Sequence, residues 1–231
     1  MIMAVFGDVR GNWPALDAVL GAVDEAGIHT LVNTGDIAVG CPWPNEAIAC
    51  VRGRAIPSVQ GVYDRAVVRF VRKTDSLRKR FSPAEFTAIQ WAYANTRSEH
   101  VEFLRSLPKR QIVTVDGIPV FLCHGSPASP FDALREDSDV TRFRRAREQA
   151  NTGIIVCGHS HRAFVRTVDG ALFVNPGSVG VPAGREPRAH YAIIDTEHEP
   201  WSAEIRYAEY DAGLVDARLR DCGLERMSAP A

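Results

Sequence analysis

The sequence predicts an α/β protein, and three observations carry that prediction. Short continuous apolar runs alternate with amphipathic patterns of 3.6-residue period through the first 60 residues. Residues able to do chemistry, Asp8, Asp36, His124, His159 and His161, each come directly after an apolar run, where a strand would end. In the second half, Asp-Gly pairs at 116–117 and 169–170 join short strand patterns, which reads as hairpins within an antiparallel or mixed sheet.

In order, Ile2–Phe6 is a buried strand left through GDVRGN, Gly7–Asn12. Pro14 opens a helix whose Leu16, Val19, Leu20 and Val23 form one apolar face, and Gly27 ends it. Thr30–Asn33 is a second strand with TGDIAVG, Thr34–Gly40, as its exit. A helix over Glu46–Arg52 and a third strand over Ala55–Val59, leaving through QGVYD, complete a β-α-β-α-β beginning. Residues 65–107 read as a helical cover, and the basic run Arg65–Arg80 within it reads as a solvated helix face. Strands follow at Ile112–Val115 and Val120–Cys123, the latter ending in HGSP, then a helix over Asp139–Gln149. Ile154–His161, IIVCGHSH, is an apolar run stopped by Gly158, with two imidazoles one residue apart beyond it. Strands at Ala163–Val168, Ala171–Asn175, Ala189–Asp195 and Ser202–Tyr207 and a helix over Ala212–Asp221 close the chain.

With 231 residues, 45% of them hydrophobic, the chain can bury a full core, and a single domain over 1–231 is expected. A net charge of −1, from 27 basic and 28 acidic residues, gives no strong nucleic-acid signal and no reason to expect a membrane as partner. The five cysteines are scattered without CxxC spacing, which fits a reducing, cytoplasmic setting. No apolar run approaches the roughly 20 residues of a membrane span.

A mixture of carboxylates and imidazoles at strand ends suits Mn²⁺, Fe²⁺ or Zn²⁺ better than a calcium cage. His159 and His161, flanking Ser160, can reach neighbouring points in a turn, which suits two ions better than one. In order and spacing, GDVRGN, TGDIAVG, GVYD, HGSP, GHSH and NPGS resemble the motif series of the calcineurin-like metallophosphoesterases, in particular the small bacterial and archaeal phosphodiesterase branch. The resemblance implies a four-layer α/β/β/α sandwich of two mixed β-sheets flanked by helices. It also implies up to two divalent ions, manganese first, with iron, zinc, nickel or magnesium as alternatives. Asp36 would bridge them, Asp8 and His161 would hold the first, and His124 and His159 the second. Asp64 and Asn175 would support these ligands from behind, and Ser178 would belong to the same supporting turn.

Two departures from that pattern stand out. Where the family usually has a metal-binding histidine, this chain has Arg10, which stays protonated and offers no lone pair. Where the family usually has a metal-binding asparagine, this chain has Val62, followed by Tyr63 in place of a histidine. Arg10 either grips a substrate phosphate or turns away to pair with an acidic neighbour, and Tyr63 retains a phenol able to donate to substrate. Asp36, Arg10 and Tyr63 are therefore the candidate catalytic residues, with Arg10 and Tyr63 also touching substrate. Arg185 and Arg188 are further candidates for phosphate contact. The expected activity is metal-dependent hydrolysis of a phosphodiester, a phosphomonoester or a dinucleoside polyphosphate by attack of a metal hydroxide, so the partner is a phosphate-containing small molecule or nucleotide. The alternative is a degenerate member that binds phosphate, nucleotide or a protein partner with little turnover.

Overall fold

A computed structural model describes residues 2–182 and 188–229. Among these residues are nine strands and seven helices: β1 (Ile2–Phe6), α1 (Trp13–Glu25), β2 (Leu31–Asn33), α2 (Pro44–Gly53), α3 (Val62–Arg80), α4 (Pro83–Asn95), α5 (Ser98–Ser106), β3 (Arg110–Val115), β4 (Ile118–Cys123), α6 (Val140–Ala150), β5 (Ile154–Val156), β6 (Phe164–Val168), β7 (Ala171–Asn175), β8 (Arg188–Asp195), β9 (Ser202–Glu209) and α7 (Ala212–Asp221). Local sequence chemistry sets several boundaries. Asn12 caps α1 by accepting from Ala15 N–H at 3.2 Å, and Pro14 occupies the first turn, where no amide donor is needed. Asp139 and Asp211 cap α6 and α7 in the same way.

The strands form two mixed sheets, in the orders β2-β1-β8-β9 and β3-β4-β5-β7-β6. β1 runs parallel to β2 and antiparallel to β8. In the second sheet β5 is parallel to both β4 and β7, with hairpins at the edges.

Strand alternation divides the side chains into layers. Met3 and Val5 of β1 face inward to Val120, Leu122, Ile154, Val156, Leu172 and Val174 of the other sheet. Ala4 and Phe6 face the opposite way, onto Leu16, Val19 and Leu20 of α1 and onto the helical cover of α3–α5. On the far side, Phe121, Ile155 and Phe173 pack against Phe143 and Ala146 of α6. The result is helix, sheet, sheet, helix, the expected four-layer α/β/β/α sandwich. Burial of each large core side chain contributes roughly 1.5–3 kcal/mol.

One expected strand does not form. Ala55–Val59 makes a single parallel bridge, between Asn33 and Ser58. Pro57 has no amide hydrogen to extend the ladder, and Ala55 sits at φ +50°, outside extended geometry. The bridge still places the 60–64 loop beside the end of β2.

Candidate metal centre

Asp8, Asp36, His124, His159 and His161 all lie in loops that leave β1, β2, β4 and β5 at their carboxyl ends. Four of them, together with Arg10, adopt left-handed backbone: Asp8 at φ 48°, Arg10 at 60°, Asp36 at 55°, His159 at 67° and His161 at 56°. Such geometry costs on the order of 1–3 kcal/mol per residue and concentrates where side chains must be aimed. The loops brace one another to hold it. Asp8 N–H donates to Gly35 C=O at 2.9 Å and Arg10 N–H to Asp36 C=O at 2.9 Å. Gly158 N–H donates to His124 C=O at 2.6 Å, and His159 N–H to Asp8 Oδ2 at 3.0 Å. Gly158 is required by close approach, since a Cβ there would lie 2.6 Å from Thr34 Oγ1 and 3.0 Å from Asp8 Oδ2.

The ring orientations are fixed from behind. His124 Nδ1 lies 2.8 Å from Thr34 C=O and His161 Nδ1 lies 2.7 Å from Val181 C=O. A carbonyl only accepts, so each Nδ1 carries a proton and each Nε2 faces the centre, the arrangement that orients imidazole toward a metal. His124 Nε2 is 3.2 Å from Asp36 Oδ2, and His161 Nε2 is 3.1 Å from Asp8 Oδ1. Apart from those two carboxylate–imidazole contacts, buried Asp8 Oδ1, His124 Nε2, His159 Nδ1 and His161 Nε2 have no hydrogen-bond partner, although buried polar atoms are nearly always satisfied. Unsatisfied lone pairs converging from Asp and His fit a divalent transition metal. The ligand atoms of Asp36, His124 and His159 lie within 4.8 Å of one another, a three-ligand cluster, while Asp8 and His161 form a separate pair beside it.

Without a cation at the centre, the carboxylates favour a proton on His124 Nε2, which a metal would have to displace. Burial penalises a charged His124, yet the Asp36 carboxylate opposite outweighs it and lifts the imidazole to about 9. Burial and the neighbouring His124 push His159 down to about 4. Burial acts to raise Asp36 as well, but His124 and Arg10 hold it well below the usual carboxylate range.

Arg10 does not turn away. It is 1% exposed, with Nη1 3.3 Å from Asp36 Oδ2 and Nη2 3.3 Å from Met227 Sδ. Its guanidinium carbon lies 3.7 Å from the centre of the Tyr63 ring, a cation–π contact. The acidic neighbour it pairs with is thus the carboxylate at the middle of the site, and its fork has no face open for a phosphate. Tyr63 is equally enclosed. Its backbone N–H donates to Asp36 Oδ1 at 2.6 Å, and its hydroxyl donates to Glu85 rather than toward the centre. Val62 is buried at the start of α3 and brings no ligand atom.

Asp64, Asn175 and Ser178 brace the loops that carry these side chains. Asp64 accepts from the backbone N–H groups of Asp36 (2.8 Å), Ile37 (2.8 Å), Ala38 (3.3 Å) and Gly61 (3.1 Å), tying the two loops together. Burial and the Asp36 charge push its carboxyl up to about 7, against those N–H groups, which favour the ionised form. Asn175 donates to Gly158 C=O and Ser160 Oγ, both at 3.0 Å, bracing the GHSH turn. Ser178 donates to Asp8 C=O at 2.9 Å.

A sequence model of the calcineurin-like phosphoesterase superfamily domain matches residues 1–199. The chain belongs to that superfamily. An uncharacterised protein of Methanocaldococcus jannaschii is 30% identical over 91% of this chain and 88% of its own. The crystal structure of a metallophosphoesterase from Sphaerobacter thermophilus superposes with a TM-score of 0.78 at 26% identity, covering 97% of this chain and 95% of that one. A hypothetical protein from Pyrococcus horikoshii superposes at 0.88 with 22% identity over 97% and 94%, which shows the shared fold.

Among the phosphoesterase residues expected from sequence, Asp8, Asp36, His124, His159 and His161 meet in one region with Arg10, Tyr63, Asp64, Asn175 and Ser178 around them. Arg188 lies elsewhere, with its guanidinium 4.5 Å from the Tyr207 ring and 3.8 Å from Glu209. Arg185 falls outside the described residues. Sequence reasoning missed Glu85 and Met227. Glu85 carried a signal, since Ser82-Pro-Ala-Glu85 is a capping box, and its carboxylate serves both Ser82 N–H and Tyr63. Met227 carried none, being 217 residues from Arg10 in a chain end without a motif. No helix among the described residues is long and apolar enough to cross a membrane.

Proposed function

We propose that this phosphoesterase hydrolyses a phosphoester bond of a small anionic substrate, using one divalent cation held by Asp36, His124 and His159 with Arg10 as a fixed positive charge beside it. The observation carrying this reading is the convergence of Asp36, His124 and His159, whose ligand atoms lie within 4.8 Å of one another, with His159 Nδ1 buried and without a hydrogen-bond partner. Family membership supports the reaction class and a divalent metal.

A cation bound there supplies Lewis acidity, polarising a phosphoryl oxygen and acidifying a water. The chain's own residues do the rest. Thr34 C=O fixes the His124 tautomer, and His159 is the one partly exposed member of the cluster, so substrate approaches from its side. Asp64 and Tyr63 N–H hold Asp36 at one angle. Arg10 adds a positive charge within 3.3 Å of Asp36 that cannot dissociate, next to where negative charge builds on the phosphoryl oxygens. With Tyr63 turned to Glu85, protonation of the leaving group falls to solvent.

The test is hydrolysis of an aryl phosphodiester and an aryl phosphomonoester with and without added Mn²⁺. Turnover that requires Mn²⁺ and disappears in Asp36→Ala is the expected result. Absence of metal-dependent turnover above that variant would favour the second reading, a member that binds phosphate or nucleotide without hydrolysis. Burial of Arg10 and the apolar Val62 are the observations on that side.

A further inference from the structure

The basic run in α3 is more than a solvated face. Arg65, Arg69, Lys73, Lys79 and Arg80 line one groove of about 470 Å³, whose walls include Phe131 and whose floor includes Val62. Among the described residues, no Asp or Glu lines it. None of the five cations has an ion pair among the described residues. Several other surface arginines have carboxylate partners, as in Arg54 with Asp24, Arg142 with Asp132, Arg144 with Asp169 and Arg226 with Asp216. Of the two carboxylates in α3, Asp64 faces inward to the loop backbone.

The cations are close enough to oppose one another. Burial lowers the Arg65 pKa, and Arg69 and Arg80 lower it further. α3 departs from helical geometry at Lys73 (φ −135°, ψ 19°), within the stretch that lines the groove. Arg80 is fixed over the Phe131 ring at 3.6 Å, in the loop that follows His124. Like charges gathered without counter-charge in a concave site are offset by an anionic ligand.

The groove is linked to the candidate metal centre through the chain. Its floor residue Val62 directly precedes Tyr63, whose N–H donates to Asp36 Oδ1 at 2.6 Å. We infer that this groove binds the non-scissile part of the substrate, and that this part is a short chain of consecutive phosphates, as on a small nucleoside polyphosphate. The groove volume fits a small ligand. A net charge of −1 and the bounded volume of the groove argue against a long nucleic-acid track. The assignment as substrate subsite rests on the proposed hydrolase reading; the binding itself does not.

The test separates the two. Binding of inorganic tripolyphosphate to chelator-treated protein, followed calorimetrically, reads the groove without metal or turnover. The double variant Arg69→Glu/Lys73→Glu should weaken binding at least about tenfold, whereas Arg218→Glu/Arg220→Glu on α7, with the same change of charge, should leave it within about twofold. Equal loss in both variants, or no loss in the first, would overturn the groove. Tighter binding of a single-stranded oligonucleotide than of a nucleoside tetraphosphate would overturn the small-molecule assignment. In active protein, the groove variant should raise KM for a nucleoside polyphosphate about tenfold or more, with kcat and the KM for an aryl phosphodiester unchanged. An equal rise for both substrates would overturn its role as a subsite.

Discussion

Arg10 Nη1 lies 3.3 Å from Asp36 Oδ2, the same oxygen that His124 Nε2 approaches at 3.2 Å. A permanent cation and the imidazole proposed as a metal ligand therefore share one carboxylate oxygen. By the motif resemblance Arg10 takes the sequence position of a metal-binding histidine, and its guanidinium supplies charge without a lone pair to coordinate.

Replacing that charge with a ligand should restore a second metal position. Arg10→His is expected to raise bound Mn²⁺ from about one to about two ions per chain, since a third donor completes the minimal set around Asp8 and His161. Adding Val62→Asn should tighten the ion at Asp36, His124 and His159. Elemental analysis after desalting reads both, and unchanged stoichiometry in Arg10→His would show that Arg10 does not stand in for a metal.

Gly61 offers a steric test of how tightly Asp36 must be placed. A Cβ at Gly61 would fall 2.1 Å from Asp36 Oδ1 and 2.3 Å from its backbone nitrogen. Gly61→Ala should lower kcat by about 100-fold, because a displacement near 1 Å in a catalytic constellation costs that much. Gly53→Ala, with nothing within 4 Å of its Cβ, is the matched control and should be neutral or stabilising by up to about 1 kcal/mol in a urea titration.

Asp64 satisfies four backbone N–H groups while staying out of the ligand set. Asp64→Ala leaves these donors buried and unpaired, with an expected loss on the order of 3 kcal/mol in unfolding free energy. Asp64→Asn keeps one acceptor oxygen and should lose less. Comparison of urea midpoints orders the three proteins. A merely electrostatic role for Asp64 would instead make the asparagine and alanine variants equal.

Met227 holds the chain end over Arg10, with its sulfur 3.3 Å from Nη2 and the residue 9% exposed. Met227→Ala should cost roughly 2 kcal/mol and open the guanidinium to solvent. Mass mapping of arginines modified by a dicarbonyl reagent should then find Arg10 modified in the variant and protected in the parent.

Much of the site was legible because its residues follow strands. Ile154–Val156 stops at Cys157-Gly158, and the two imidazoles beyond it are the ones that reach the centre. The sandwich itself follows from alternation in β1, where Met3 and Val5 face one core and Ala4 and Phe6 another. What was not legible depends on distance in sequence or on backbone geometry. The Arg10–Met227 contact joins chain ends, and no local pattern encodes it. Pro57 was visible, but its effect on Ala55–Val59 depended on which amide the neighbouring strand required. The α3 cations read as a solvated face, and most of them are exposed, but helical periodicity cannot show that the Phe131 loop lies beside them.

The most direct measurement is Mn²⁺ bound per chain at equilibrium in the wild-type protein, in Asp36→Ala and in His124→Ala. About one ion in the wild type and none in either variant is the predicted result. No bound ion in the wild type, or the same occupancy in all three proteins, would contradict the assignment of Asp36, His124 and His159 as the metal centre.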